Sequence, residues 1–515
     1  MSDGTEPRRR GLLDLVERVG DRLPDPVFIF LWLIGFLVVA SLVFAALGVS
    51  ATNPITNEVL VAKSLLEPGN VRTLLTEMAK TFTGFAPLGL VLLVMLGAGV
   101  AERVGLLDSA IRSLVIASPR KLLTPMVLLI GLLSNHAADS GIVVLPPLAA
   151  MIFAASGRHP IAGLACAYAA AIASFAGNPL PGQFDALILG FTEPAARLLD
   201  PNWTANLAGN WFFTASGCVT FVLVGWWVTD RIVEPRLGVW DGPRRLADED
   251  SDQTPPAPKG ALLWAGLAAL AVILLWTALT LLPGAPLRDA EASGPAQWTP
   301  FFRSLISGFF LLFLAAGCAY GIKAGSIKKD SDVVRLSADS IAAMAPYIVL
   351  AFAASHFIAM FNWSNLGAIT AIKGAAALRE SGAPLPVILM GVTVLAAVLD
   401  MFISSASAKW AALGPVVVPM LMLLGVSPEM TTAAYRAGDS SLVIASPMSA
   451  YFILILGFAQ RWKPGLGVGG LLSVLLPFGI AFFVAGLGLT GLWALFELAT
   501  GPVAPFHYQI AAQGG

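Results

Sequence analysis

Four aspartates lie inside stretches of chain that are otherwise apolar: Asp139, Asp185, Asp400 and Asp439, accompanied by Lys409 and Arg436. Ionisable groups at membrane depth are costly and persist mainly where they line a pathway or bind an ion or substrate. Most of them fall in two polar islands that resemble each other. The first reads Ser134-Asn135-His136-Ala137-Ala138-Asp139-Ser140-Gly141 and leads to Pro146-Pro147. The second runs from Asp400 through Ser404, Ser405, Ser407, Lys409 and Trp410 and leads to Pro415 and Pro419. Each is followed by a further polar break, Gly177-Asn178-Pro179 with Asp185 in the first half and Tyr435-Arg436-Ala437-Gly438-Asp439-Ser440-Ser441 in the second. Interrupted helices in corresponding places of two halves are the best sequence pointer to a secondary transporter's binding site.

Each cluster has a chemical and a plain structural reading. Asn135, Asp139, Ser140 and Gly141 suit a hairpin tip whose helix N-termini attract a carboxylate and whose carbonyl ends attract a cation; the plain reading is that they cap two buried half-helices. His136 fits a proton-sensitive tip or a packing residue equally, and it is assigned no role. Ser404, Ser405 and Ser407 offer donors and acceptors for a substrate with carboxylates or amides. Trp410 offers a flat face to an aromatic ligand, or is a core tryptophan. Lys409 either compensates Asp400 or reaches outward, and it too is assigned no role. Arg436 and Asp439 share a helix face and can pair with each other; alternatively Asp439 and Ser440 bind a cation or proton while Arg436 meets an anionic group bidentately.

The composition requires a bilayer. Hydrophobic residues make up 57% of the 515 and charged residues 12%, about half the charged share of a soluble domain, and mean hydropathy is +0.79. A net charge of −1 gives no electrostatic case for a nucleic-acid partner. Cys166, Cys218 and Cys318 sit in apolar runs, and no CxxC or Cys/His cluster offers a metal site. The basic N-terminal tail precedes an apolar stretch too long for a signal peptide and lacking a cleavage site, so that stretch is expected to be a retained span.

A span needs about 20 apolar residues. Nine are expected: 27–49, 86–104, 160–195 broken at 177–181, 208–229, 260–283, 301–322, 341–360, 430–460 broken at 438–441, and 466–498. Stretches 122–154 and 385–425 are long and apolar with polar middles, and are expected to be re-entrant hairpins, whose irregular tips are tolerated where protein or water shields them. With the N-terminus inside, the cytoplasmic segments carry 21 Lys and Arg against 7 on the other side, in agreement with the positive-inside rule. The hairpins then dip in from opposite faces. The expected organisation is an all-α polytopic inverted repeat: a cytoplasmic tail 1–26, a first half 27–229, a cytoplasmic linker 230–259, a second half 260–498, and a C-terminal tail 499–515. Residues 361–382 read as an amphipathic helix on the outer surface.

The chain resembles the AbgT family of p-aminobenzoyl-glutamate transporters, within the larger ion-transporter superfamily. The resemblance covers essentially the whole span region and rests on four stretches: Asp139-Ser-Gly-Ile-Val-Val-Leu-Pro-Pro-Leu148, Gly157-Arg-His-Pro-Ile-Ala-Gly-Leu164, Ser405-Ala-Ser-Ala-Lys-Trp-Ala411, and Tyr435-Arg-Ala-Gly-Asp-Ser440 leading to Pro447. It implies a homodimer of nine-span protomers with opposed hairpins in a bacterial inner membrane. It marks Asp185, Trp410, Pro428, Arg436, Asp439 and Pro447 as functional positions and makes Asp439 with the second tip a sodium site, with Asp400 and Asp439 as its carboxylates. The implied cargo is p-aminobenzoyl-glutamate, or p-aminobenzoate-type compounds including sulfonamide-like antimetabolites, a small anionic aromatic substrate moved with Na+ or H+ and without a resident cofactor. The family usually has Asn where Asp400 stands here, and Ser134-Asn-His departs from its serine-rich first tip.

The alternatives are separable. A cation-coupled carrier of small dicarboxylates fits the same architecture. A channel fits less well, because paired hairpins with breaks point to alternating access. An intramembrane aspartyl protease would need a second aspartate directly after a tyrosine, and none of the six tyrosines precedes Asp; HExxH and G-x-S-x-G are absent too.

Overall fold

The computed structural model describes residues 26–52, 58–116, 119, 122–134, 140–242, 258, 260–292, 297–400, 403, 405–446 and 449–508. These residues are overwhelmingly helical, and their one sheet is a short antiparallel pair, Ser50–Thr52 with Val59–Val61. Among the described residues six helices are long and apolar enough to cross a membrane: Val27–Ala46, Trp211–Leu237, Ala261–Leu281, Thr299–Ala324, Ala345–Trp363 and Val468–Leu495. A seventh candidate is the pair Leu88–Arg103 and Leu106–Leu114, bent by 65° at Gly105, whose φ of +82° suits glycine. Two broken pairs, Pro160–Ala173 with Gln183–Ala196 and Pro428–Asp439 with Ala450–Trp462, lie in the stretches expected as interrupted spans, 160–195 and 430–460.

Polarity is sorted by what surrounds each helix. Ala261–Leu281, mostly Ala and Leu, buries only Ala261, Ala265 and Thr280, because lipid solvates the rest as well as a protein core would. Pro428–Asp439, rich in polar and small residues, is buried along its whole length. A helix of low apolar content is therefore enclosed by protein, where its polar groups find partners. Pro160–Ala173 is comparably enclosed, with every residue but Ile172 buried, and its alanines admit close neighbours: a Cβ on Gly131 would lie 2.5 Å from Cβ of Ala170.

The hairpin regions are each two apolar arms packed on a broken helix. Leu123–Leu133 and Ser140–Ala155 lie on Pro160–Ala173; Leu385–Leu399 and Ala406–Met422 lie on Pro428–Asp439. The far half of each broken helix crosses to the other side: Gln183–Ala196 packs on Ala406–Met422, and Ala450–Trp462 on Ser140–Ala155. Asn178-Pro179 and Pro181 explain the first interruption, since proline supplies no donor and pushes its predecessor out of the helical region.

Three expectations need correction. The second break does not begin at Gly438: the helix runs to Asp439, followed by a 3-10 turn Leu442–Ala445. Gly438 serves close packing instead. The stretch between the expected span 86–104 and the expected hairpin 122–154, which the span count left as a connection, contains the helix Leu106–Ile116, which packs on Ser140–Ala155. The start of the expected linker 230–259 continues the preceding helix through a π turn Thr229–Val233 and Glu234–Leu237, held by Arg158, which pairs with Asp230 at 2.6 Å and with Glu234. The amphipathic segment is present as Leu366–Glu380, with Leu366, Ile369, Ala371 and Ala375 buried.

A Cβ on Gly438 would stand 2.1 Å from the carbonyl oxygen of Thr393, and the helices cannot part without losing the Thr393 hydroxyl bond to Ala434 O at 2.9 Å. Gly438→Ala is expected to destabilise the protein by about 1–3 kcal/mol or more, the usual cost of overpacking. A thermal unfolding midpoint in detergent equal to wild type would contradict the tight crossing.

Candidate functional site

The geometry brings two ionic cells together on the buried helix Pro428–Asp439. Arg436 turns toward the first half: its Nη1 donates to Asp185 Oδ1 at 2.5 Å and its Nε to Phe175 O at 2.7 Å, with the guanidinium carbon 5.0 Å from the centre of the Phe175 ring. Asp185 is fixed from its other oxygen, which accepts the Gly182 N–H at 2.7 Å. That bond also closes the first turn of Gln183–Ala196, so the break itself orients the carboxylate. Arg436 and Asp439 therefore do not pair with each other, although their spacing allows it.

Asp439 turns the other way. Its Oδ1 accepts from Tyr435 Oη at 2.7 Å and lies 2.6 Å from Lys409 Nζ, and the same ammonium binds Asp400 Oδ1. Asp400 ends the arm Leu385–Leu399 and Lys409 lies in the first turns of Ala406–Met422, so the ammonium bridges both arms of the second hairpin and the broken helix. Lys409, assigned no role from sequence, occupies the place between the carboxylates where the sodium ion was expected. Among the described residues no cluster of three or more His, Cys, Asp or Glu side chains offers a site for a metal.

Trp410 is fully buried. It stacks on Tyr435 with ring centroids 4.5 Å apart and 26° between planes, and its Nε1 donates to Thr192 Oγ1 at 2.9 Å. Thr192 in turn meets Thr432 at 3.1 Å. The ring thus ties Gln183–Ala196 to Ala406–Met422 and Pro428–Asp439, with one face covered by Tyr435. Ser405 caps its helix, accepting from Ala408 N at 3.3 Å, and lies 3.3 Å from Ser407 Oγ. Ser440 Oγ donates to Arg436 O at 2.9 Å, satisfying a carbonyl at the helix end. Gly141 lets the first hairpin close, since a Cβ there would lie 2.2 Å from that of Ser134. Asn135, His136, Asp139, Ser404 and Pro447 lie outside the described residues, as does the side chain of Ser140.

Several buried polar atoms here have no partner among the described residues: Asn178 Oδ1, Gln183 Oε1, Asp400 Oδ2, Arg436 Nη2 and Ser446 Oγ. Such atoms are rare in folded proteins and call for an explanation. They lie at the two breaks, on the second hairpin and on the central helix, and they include acceptors and a cationic donor. Three carboxylates (Asp185, Asp400, Asp439) face two cations (Arg436, Lys409), which leaves one negative charge over if all are ionised. The arrangement can add one proton or monovalent cation, and Arg436 Nη2 can donate to an anion.

Tyr435, Thr192, Thr432 and the Phe175 carbonyl were not singled out as site residues. Tyr435 was findable as the i, i+4 neighbour of Asp439; Thr192 and Phe175 carry no local signal, since tertiary packing alone brings them in.

The profile of the AbgT transporter family matches residues 11–508. The chain is 36% identical over 487 residues to the p-aminobenzoyl-glutamate transport protein of Escherichia coli (strain K12), covering 95% of each. Its fold superposes on the YdaH transporter of Alcanivorax borkumensis with a TM-score of 0.87 at 40% identity, covering 93% of this chain and 100% of that one. It superposes on MtrF of Neisseria gonorrhoeae, linked to a class of antimetabolite efflux pumps, also at 0.87, with 38% identity and 94% and 97% coverage.

Proposed function

Starting from the chain's membership of the AbgT transporter family, which makes it a multi-pass membrane transporter and not an enzyme, we propose that it moves p-aminobenzoyl-glutamate or related p-aminobenzoate-type compounds, by uptake or as efflux of sulfonamide-like antimetabolites, coupled to H+ or Na+. The observation that carries the coupling is the surplus of one carboxylate over cations in the buried cluster of Asp185, Asp400, Asp439, Lys409 and Arg436. A buried uncompensated charge is strongly disfavoured, so the cluster is completed by a proton or a monovalent cation, with Asp400 Oδ2 a buried carboxylate oxygen that has no partner among the described residues. Sodium at the expected place between Asp400 and Asp439 would have to displace the Lys409 ammonium.

The cargo reading draws on the named Escherichia coli relative and on the chemistry of the site. Arg436 Nη2 supplies a donor for a carboxylate, and Asn178 Oδ1 and Ser446 Oγ supply acceptors for amide or amine hydrogens. Asn178, Asp185, Ser405, Ser407, Trp410, Arg436 and Pro447 with the first tip (Asn135, Ser140, Gly141) are assigned to the substrate, and Asp139, Asp400, Ser404, Asp439 and Ser440 to the coupling ion. The N-terminus is assigned to the cytoplasm of a bacterial inner membrane by the charge bias, and the working unit is a homodimer.

Reconstitution with H+ and Na+ gradients imposed separately tests this reading. Labelled p-aminobenzoyl-glutamate is expected to accumulate under at least one gradient, and p-aminobenzoate, not succinate, is expected to compete. Accumulation under neither gradient would overturn it; competition by succinate alone would establish the dicarboxylate alternative.

A further inference from the structure

Away from the charge cluster, two adjoining cavities open on the face that carries the segment 503–508, the outer face on the topology proposed above. The larger encloses about 380 Å³ between the 202–206 loop, the start of Thr299–Ala324, the start of Pro428–Asp439 and the C-terminal segment 503–508. That lies within the size range of small-molecule sites. The smaller, about 220 Å³, continues along one side of Gln183–Ala196 past Glu193 and Leu189 to Ala186, the residue next to Asp185 of the central cluster.

Arg303 lines both cavities. Its Nη2 donates to Thr204 Oγ1 at 2.6 Å, which holds the side chain across the junction. It makes no ion pair among the described residues, whereas Glu193 in the same wall is already taken by Arg197 at 2.5 Å and the Ala205 N–H at 3.0 Å. Trp203 and Phe302 provide aromatic surface in the larger cavity, and Glu429, nearly buried at 6% exposure, presents a carboxylate there without an ion pair among the described residues. The wall formed by the C-terminal segment is stitched in place: Ser427 N donates to Phe506 O at 2.9 Å, Tyr508 N to Gly425 O at 2.9 Å, Tyr508 Oη to Asp200 at 3.0 Å, and Asn206 Nδ2 to Pro502 O at 2.6 Å.

We infer that this cavity is a second binding site, for an aromatic carboxylate bearing an amine at its far end, where the ligand pauses between the surrounding solution and the central cluster. Arg303 receives the carboxylate, Trp203 and Phe302 receive the ring, and Glu429 accepts from the amine. The assignment of this ligand class rests on the cargo reading above; the site itself rests on the cavity and its unpaired guanidinium.

Equilibrium dialysis of radiolabelled p-aminobenzoate against the purified full-length protein tests it. The wild type is expected to show two saturable components. Arg303→Ala weakens one of them roughly tenfold, the loss of a charge-assisted hydrogen bond; Arg303→Lys restores part of it, and Asp439→Asn leaves it intact. An Arg303→Ala isotherm equal to wild type, from protein with an unchanged unfolding midpoint, overturns the inference. Failure of the two readings is distinguishable: an Arg303-dependent component in a protein that transports no p-aminobenzoyl compound sinks the cargo and supports this site, whereas transport with Arg303-independent binding does the reverse.

Discussion

Asp439→Asn is expected to remove concentrative transport while leaving a folded protein. The substitution keeps the size of the side chain and an oxygen for the Tyr435 hydroxyl, now 2.7 Å from Asp439 Oδ1, and Lys409 retains Asp400 as its counterion. What changes is the charge sum. With Asp439 neutral, Asp185 and Asp400 balance Arg436 and Lys409, and the cluster no longer calls for an added proton or cation. The lost charge-assisted contact is worth about 2–3 kcal/mol, which corresponds to a rate or affinity loss on the order of a hundredfold. The initial rate of uptake into proteoliposomes, read beside the thermal unfolding midpoint, checks both halves of the statement. Wild-type flux in the variant would remove Asp439 from the coupling step.

The sequence was most informative where membrane physics restricts the choices. Long apolar runs such as Ala261–Leu281 and Val468–Leu495 have few alternatives to a spanning helix, and the two interruptions were marked by proline and by polar residues that a continuous span would not carry. Asp185, Asp400, Arg436 and Asp439 were identifiable one by one for the same reason, and the structure joins them through a single buried helix. Their pairing was not legible. Arg436 and Asp439 are three residues apart on one helix, yet Arg436 reaches a carboxylate of the other half because the Gly182 N–H and the Phe175 carbonyl fix both partners there. The sequence assigns Lys409 no role, because its choice between Asp400 and the exterior depends on how the hairpin arms close. Trp410 illustrates a second limit: its residue type suits a ligand platform and a core position equally, and only the fold shows that Tyr435 covers one face of the ring and Thr192 takes its N–H. The cavity beside the 503–508 segment had no sequence signal, since its walls come from four separate segments that only the tertiary fold brings together.

Lys409→Met is expected to destabilise the protein by about 3–5 kcal/mol, the cost of removing one partner from a buried ionic group. The ammonium touches Asp400 and Asp439 at once; without it two carboxylates are left together out of water, and Asp439 retains only the Tyr435 hydroxyl. The physical cause is the surplus charge, not the lost volume, because Met fills nearly the same space as the lysine stem. That distinction makes the second substitution informative. Asp400→Asn in the Lys409→Met chain removes the like-charge contact and is expected to restore most of the lost stability. Asp400→Asn alone is expected to change little, since Lys409 still holds Asp439. Unfolding midpoints of the four proteins form a double-mutant cycle in which the coupling should lie at the upper end of the roughly 0.5–3 kcal/mol seen for residues in contact. Simple additivity of the two changes would mean that Lys409 is not the counterion of this pair in the folded protein, and that the place between Asp400 and Asp439 is open to a metal ion after all.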